Sequence, residues 1–284
     1  MRHRDKASEP RELRSQEELQ LSDREEREIT ERLRPSAIVI HETIRIEGES
    51  ELRRPVSALA WSGLAAGLSM GFSLVGRGLL LANLPDQPWR HIIASFGYTI
   101  GFVIVVMGRQ QLFTENTLTA ILPLLSRRNR RAFLKVLRLW AIVLLSNLLG
   151  TLLFACIVGY VEVFPPEVQK EFAQIGLEAM AGGFWKLFLQ GTFAGWLIAL
   201  MVWLLPAAES SQLWVIIIIT AVIGLGKLPH IIAGSVEVLY IAITGTTDWT
   251  AYFRFAIPTL LGNILGGVSL VAAVNHAQVA PQRT

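Results

Sequence analysis

From residue 55 onward, long apolar runs alternate with short polar turns. The runs predict six membrane-spanning helices over roughly 57–82, 92–126, 132–160, 183–205, 212–243 and 251–275. One crossing needs about 20 apolar residues, so the second and fifth runs are too long, and each carries a polar interruption. In the second it comprises Arg109, Gln110, Gln111, Thr114, Glu115 and Asn116; in the fifth it is Gly224-Leu-Gly-Lys-Leu-Pro-His230. Hydrocarbon tolerates such residues only where they line a cavity or are buried in protein. Each run therefore predicts two half-helices joined by an irregular loop. Three spans with the middle one broken, repeated once, predict an all-α integral membrane protein with six transmembrane helices in an inverted repeat. Paired broken helices point to a transport site. The breaks share a spacing, Gly108, Leu112 and Thr114 in one and Gly224, Leu228 and His230 in the other. Glycines repeat every four residues at 63/67/71, 97/101, 191/195 and 262/266, the pattern of closely approaching helices in lipid.

Charge refines this picture. Residues 1–54 hold 12 Lys/Arg and 14 Asp/Glu, whereas the other 230 residues hold 14 and 9. The organisation expected is a charged cytoplasmic arm over 1–54, helical over Glu17–Arg34, a transport domain over 55–276 and a short cytoplasmic tail over 277–284. The segment Ala37–Ile46 is expected either on the membrane surface or against the domain. The basic run Arg127, Arg128, Arg130 and Arg131 follows the second span and belongs in the cytoplasm by the positive-inside rule, which places both chain ends there. The acidic 161–182 loop, with Glu162, Glu167, Glu171 and Glu178, then faces outward. The net charge of +3 accordingly carries a topological meaning and no nucleic-acid signal. Residues 1–36 contain no apolar core of a secretory signal, and the single Cys156 allows no intrachain disulfide.

Five ionisable residues lie away from the predicted span ends: Arg109, Glu115, Lys227, His230 and Glu237. An imidazole exchanges a proton near neutrality, which makes His230 the sharpest candidate. Pro229 before it suits the first turn of a half-helix. Thr114 offers a hydroxyl and an N-cap at the other break. Half-helix N-termini contribute only about 0.3–2 kcal/mol each to holding an anion, against several kcal/mol for removing it from water. Proton donation from His230, which neutralises a weak-acid anion, closes most of that gap. Arg109, Glu115, Lys227 and Glu237 balance in charge and read either as an ion network holding the two loops or as pore-lining groups. Asn147 and Asn263 read as interhelical ties. Gly67-Leu-Ser69-Met-Gly71 matches a serine-nucleophile pattern but lacks its strand-to-helix context. No metal motif, phosphate loop or dinucleotide fingerprint is present, so no metal or cofactor is expected.

Leu112-Phe113-Thr114, His230, Asn147-Leu-Leu-Gly150, Trp196-Leu together with Val202-Trp203, and Gly262-Asn263-Ile-Leu-Gly266 together resemble the formate/nitrite transporter family, most of all its YfdC-like branch. The resemblance spans roughly residues 50–276. It implies an aquaporin-like fold and a homopentamer in the bacterial inner membrane, with one pore per protomer. The pore threonine and histidine flank the anion between hydrophobic constrictions. By position Leu112 and Phe113 fall at the pore, and Tyr98 and Phe102 are further constriction candidates. Typical members carry asparagines where Gly234 and Gly195 stand here. The function implied is a channel or carrier for small monovalent weak-acid anions across the lipid bilayer. The alternatives are a passive pore for neutral solutes, a non-transporting scaffold acting through the arm, and an intramembrane protease using Ser69 and His230.

Overall fold

Helix follows helix, with no strand among the described residues, which are 35–161 and 163–279 of the computed structural model. The predicted helix over Glu17–Arg34, the loop residue Glu162 and the end of the tail lie outside them. The helices are α1 (Ala37–Glu51), α2 (Val56–Asn83), α3 (Arg90–Met107), α4 (Phe113–Thr119), α5 (Ile121–Arg127), α6 (Arg130–Tyr160), α7 (Pro166–Ala179), α8 (Phe184–Ala208), α9 (Gln212–Leu225), α10 (Ile231–Ile243), α11 (Trp249–Leu265) and α12 (Val274–Val279). Four helical stretches are long and apolar enough to cross a membrane: α2, α3, α6, and α8 continued through α9; α10 is a shorter apolar helix. The predicted runs thus become helix within a few residues of their expected ends, and both breaks are real.

Two features depart from the hydropathy reading. The segment from Ser36 to residue 54 belongs to the same compact unit as the later helices, ahead of the boundary placed at 54. Its helix α1, begun by the Ser36 side chain, buries His41, Ile44 and Gly48. Arg138 on α6 donates to the carbonyls of Leu52 and Arg54 at 3.3 and 2.9 Å and so holds the end of α1. The last run is also not one regular helix: α11 passes into a π-helix over Gly266–Ala273. The π-turn begins at a close crossing, where a Cβ on Gly266 would lie 2.1 Å from the Thr192 carbonyl.

Packing explains how two breaks so far apart in sequence come together. α2 lies along α3 and α6, and α8 lies along α11, while α4 reaches from the first half against α8, and α10 from the second half against α6 and α7. The glycine stripes set these distances. A Cβ on Gly67 would meet the Asn147 carbonyl oxygen at 2.1 Å, and one on Gly195 would meet that of Asn263 at 2.2 Å. Backbone meets backbone at both crossings.

Candidate functional site at the paired helix breaks

Each break is built the same way. After α3, Gly108 leads to Arg109 in the left-handed region (φ 53°), and the Gln110 amide reaches back to the Val105 carbonyl at 3.0 Å. After α9, Gly226 leads to Lys227 (φ 48°), and the Leu228 amide reaches back to the Ile223 carbonyl at 3.0 Å. Extended residues then open the second half-helices, with Leu112 as N-cap of α4 and His230 as N-cap of α10. The equivalent residues are therefore Leu112 and His230, two positions away from the Thr114–His230 spacing read in the sequence. An N-cap is defined by backbone conformation, whereas the sequence comparison matched hydrogen-bonding side chains. Pro229 correspondingly lies ahead of the cap and not in the first turn.

The two asparagines hold these loops. Asn147 on α6 accepts from the Phe113 amide at 2.9 Å and donates to the carbonyls of Gly63 and Gln111 at 2.7 and 2.9 Å. Asn263 on α11 accepts from the Ile231 amide at 2.8 Å and donates to the carbonyls of Gly191 and Pro229 at 2.8 and 3.1 Å. Both side chains are fully buried. They tie three backbone segments together, as buried asparagines in lipid tend to do. They also take up amides that the sequence offered to an anion.

What the clamps present to one another is Thr114 and His230, whose Oγ1 and Nε2 lie 2.7 Å apart, 0% and 1% exposed. His230 Nδ1 accepts from the Ala233 amide at 3.2 Å. That acceptance assigns the neutral ring's proton to Nε2, which donates it to Thr114. The threonine keeps its own hydroxyl hydrogen for a third group. Phe102 stands edge-on to His230 with ring centroids 5.0 Å apart, and Tyr98 follows at 5.3 Å from Phe102. Phe113 instead turns its ring to Trp140 at 5.8 Å, and Leu112 is fully buried beside it. No hydrogen bond joins Ser69 to His230, so the nucleophile–base pair of a serine hydrolase is not formed.

The four loop charges do not join. Arg109, 82% exposed, pairs with Glu47 of α1 at 3.2 Å. Lys227 pairs with Glu178 of α7 at 3.0 Å, and Glu178 also accepts from Arg77 of α2 at 3.1 Å. Among the described residues, Glu115 and Glu237 each leave one buried carboxylate oxygen without a partner. The correction follows from geometry: the two loops meet through Thr114 and His230, and their charged residues turn to opposite ends. Arg77 and Glu178 were missed because one sits near a predicted span end and the other in a loop. The signal for Arg77 was its isolation between two glycines of an apolar run. Among the described residues, Arg77, Tyr98, Glu178, Lys227, His230 and Glu237 share a cavity of about 20 Å³, room for about one water.

At the mouth of this cavity, burial opposes ionisation of Glu178, but its bond to Lys227 and the nearby Arg77 outweigh it and hold the carboxyl below its usual 4.5. A depressed carboxyl stabilises the fold above its ordinary range, and that contribution is lost as pH falls through the folded value. Acidification below about pH 4.5 is expected to lower the protection of α7 amides, that is, their exchange relative to the intrinsic rate at each pH. Glu178→Gln should show low protection at every pH; wild-type protection in α7 that acid leaves unchanged would refute the assignment.

A family model described as formate/nitrite transporter matches residues 38–277. The chain belongs to that family. The chain is 45% identical over 250 residues to the inner membrane protein YfdC of Escherichia coli (strain K12), an alignment covering 88% of this chain and 81% of that one. It is 22% identical to the formate channel BtFdhC of Bacillus thuringiensis over 82% of this chain and 91% of that one. Among solved structures, it matches a pentameric formate channel with formate bound at TM-score 0.69 and 20% identity, covering 79% of this chain and 98% of that one. An FNT family ion channel matches at TM-score 0.71 and 16% identity, over 84% and 98%. The fold is shared with both.

Within the formate/nitrite transporter frame, neither departing glycine leaves a vacancy. A side chain at Gly195 would strike the Asn263 carbonyl, as described above. A Cβ on Gly234 would meet Cζ of Phe255 at 2.4 Å, and Phe255 is 1% exposed. The ring of Phe255 fills the space an asparagine at 234 would need.

Proposed function

We propose that this chain is a channel or carrier for small monovalent weak-acid anions of the formate and nitrite class, with the Thr114–His230 pair at mid-pore. The observation that carries the reading is the 2.7 Å contact between those side chains where two clamped helix breaks meet. An anion passing there finds one spare donor, the Thr114 hydroxyl, polarised by the Nε2–H of His230. Charge-assisted hydrogen bonds of this kind are worth roughly 1.5–3 kcal/mol each, and the aromatic wall of Phe102 and Tyr98 excludes competing water. The matching clamps, Gly63 and Gln111 with Asn147, Gly191 and Pro229 with Asn263, support a six-helix inverted repeat in which α3–α4 and α9–α10 are the broken spans. The relative named as an inner membrane protein supports that location, and the pentameric neighbour supports a homopentamer with one pore per protomer. The Arg127–Arg131 cluster supports cytoplasmic chain ends under the positive-inside rule, an orientation in which the Lys227–Glu178 mouth faces outward.

Reconstituted protein should carry labelled formate, nitrite or acetate into proteoliposomes well above protein-free vesicles. No uptake of any of the three by a correctly assembled oligomer would sink the reading.

A further inference from the structure

The cavity leading to His230 holds a group with no part in the mechanism above. Glu237 lies seven residues after the His230 cap on α10, is 6% exposed, and leaves its buried Oε1 without a hydrogen-bond partner among the described residues. It shares the cavity lining with His230. The ionisable groups facing it are Arg77 from α2, Tyr98 from α3, Glu178 from α7, and Lys227 and His230 from the loop before α10. Neither α6 nor α11, which also pack on α10, adds an ionisable group to that lining among the described residues. Arg77 and Lys227 both make ion pairs with Glu178, and neither forms one with Glu237.

A fixed negative charge at this position opposes every anion that approaches the pair, and in a low-dielectric cavity opposition at close range is strong. The same carboxyl carrying a hydrogen is a donor to that anion. His230 is poorly placed to give up a proton, because its Nδ1 receives the Ala233 amide. A second ring proton would displace that bond and uncap α10.

Resting on the weak-acid reading, we propose that Glu237 is the proton-carrying residue of the pore, protonating the arriving anion in the vestibule before it meets Thr114 and His230. The O–H bond of Glu237 breaks and an O–H bond forms on the anion's oxygen, so the solute crosses the narrow aromatic section as a neutral acid. The carboxylate left behind faces Arg77. A hydronium ion entering past Lys227 and Glu178 restores the proton, and the cycle moves one proton with each anion. Donor and acceptor are chemically alike, carboxylic acid to carboxylate when formate is the solute, so the transfer runs in either direction.

The test joins two measurements on the assembled protein. Infrared spectra at neutral pH without substrate should show a protonated-carboxyl band in wild type that Glu237→Gln removes and Glu237→Asp retains. In proteoliposomes, proton entry accompanying formate, read by an internal pH dye, should fall at least tenfold in Glu237→Gln while formate entry becomes voltage-driven; Glu237→Asp should keep coupling. Intact coupling in Glu237→Gln, or absence of the band, overturns the role of Glu237 while leaving the transport reading untouched. A wild-type protein that moves no weak-acid anion defeats the transport reading and this inference with it, even if the band is present.

Discussion

Formate flux through His230→Ala is expected to fall by about 30- to 1,000-fold. The change removes the partner of the Thr114 hydroxyl, about 1–3 kcal/mol, and the cap that receives the Ala233 amide, about 1 kcal/mol. Together these raise the barrier by about 2–4 kcal/mol, at 1.36 kcal/mol per factor of ten. His230→Asn separates the contributions. Asparagine is among the best N-caps, so this variant should recover the thermal stability lost in His230→Ala and only the cap's share of the flux, about fivefold. A His230→Ala protein within about threefold of wild-type uptake would show that the 2.7 Å contact is architectural.

Asn147→Leu strikes the scaffold beneath the same site. Leucine is close in volume but leaves the Phe113 amide and the Gln111 carbonyl buried and unpartnered, while the Gly63 carbonyl keeps its bond within α2. At about 1–3 kcal/mol per orphaned group the loss is roughly 2–6 kcal/mol, among the largest expected for a single substitution. Asn263→Leu orphans the Ile231 amide and the Pro229 carbonyl, while the Gly191 carbonyl keeps its bond within α8, and its loss should be of the same size. Denaturation of the detergent-solubilised oligomer measures both. Losses below about 1 kcal/mol in each would mean that the loops keep their shape without the amides.

Much of the fold was legible because it is written locally. Run length, polar interruption and glycine spacing each depend on residues within a few turns of one another, and they located the breaks and close crossings. Thr114 and His230 were legible for the same reason: each stands in a polar gap of an apolar run. What escaped was long-range. Arg109 finds Glu47 62 residues away, and Arg77 finds Glu178 101 residues away. No local pattern encodes such a pairing, and charge balance among four loop residues suggested the wrong one. The register between the breaks also escaped, since equivalence lies in the caps and not in side-chain chemistry. The asparagines could be read as ties, but not which backbone they tie.

Gly234 and Phe255 behave as one character. With the ring in place, a larger residue at 234 has nowhere to go; with the ring removed and 234 unchanged, the protein carries a void. A lineage that exchanges a polar pore residue for this arrangement, or back again, must cross an unfavourable intermediate, and the order of the two steps decides how deep that valley is. Single substitutions borrowed from relatives will therefore misreport what position 234 does, because its effect is conditional on a residue 21 positions along the chain.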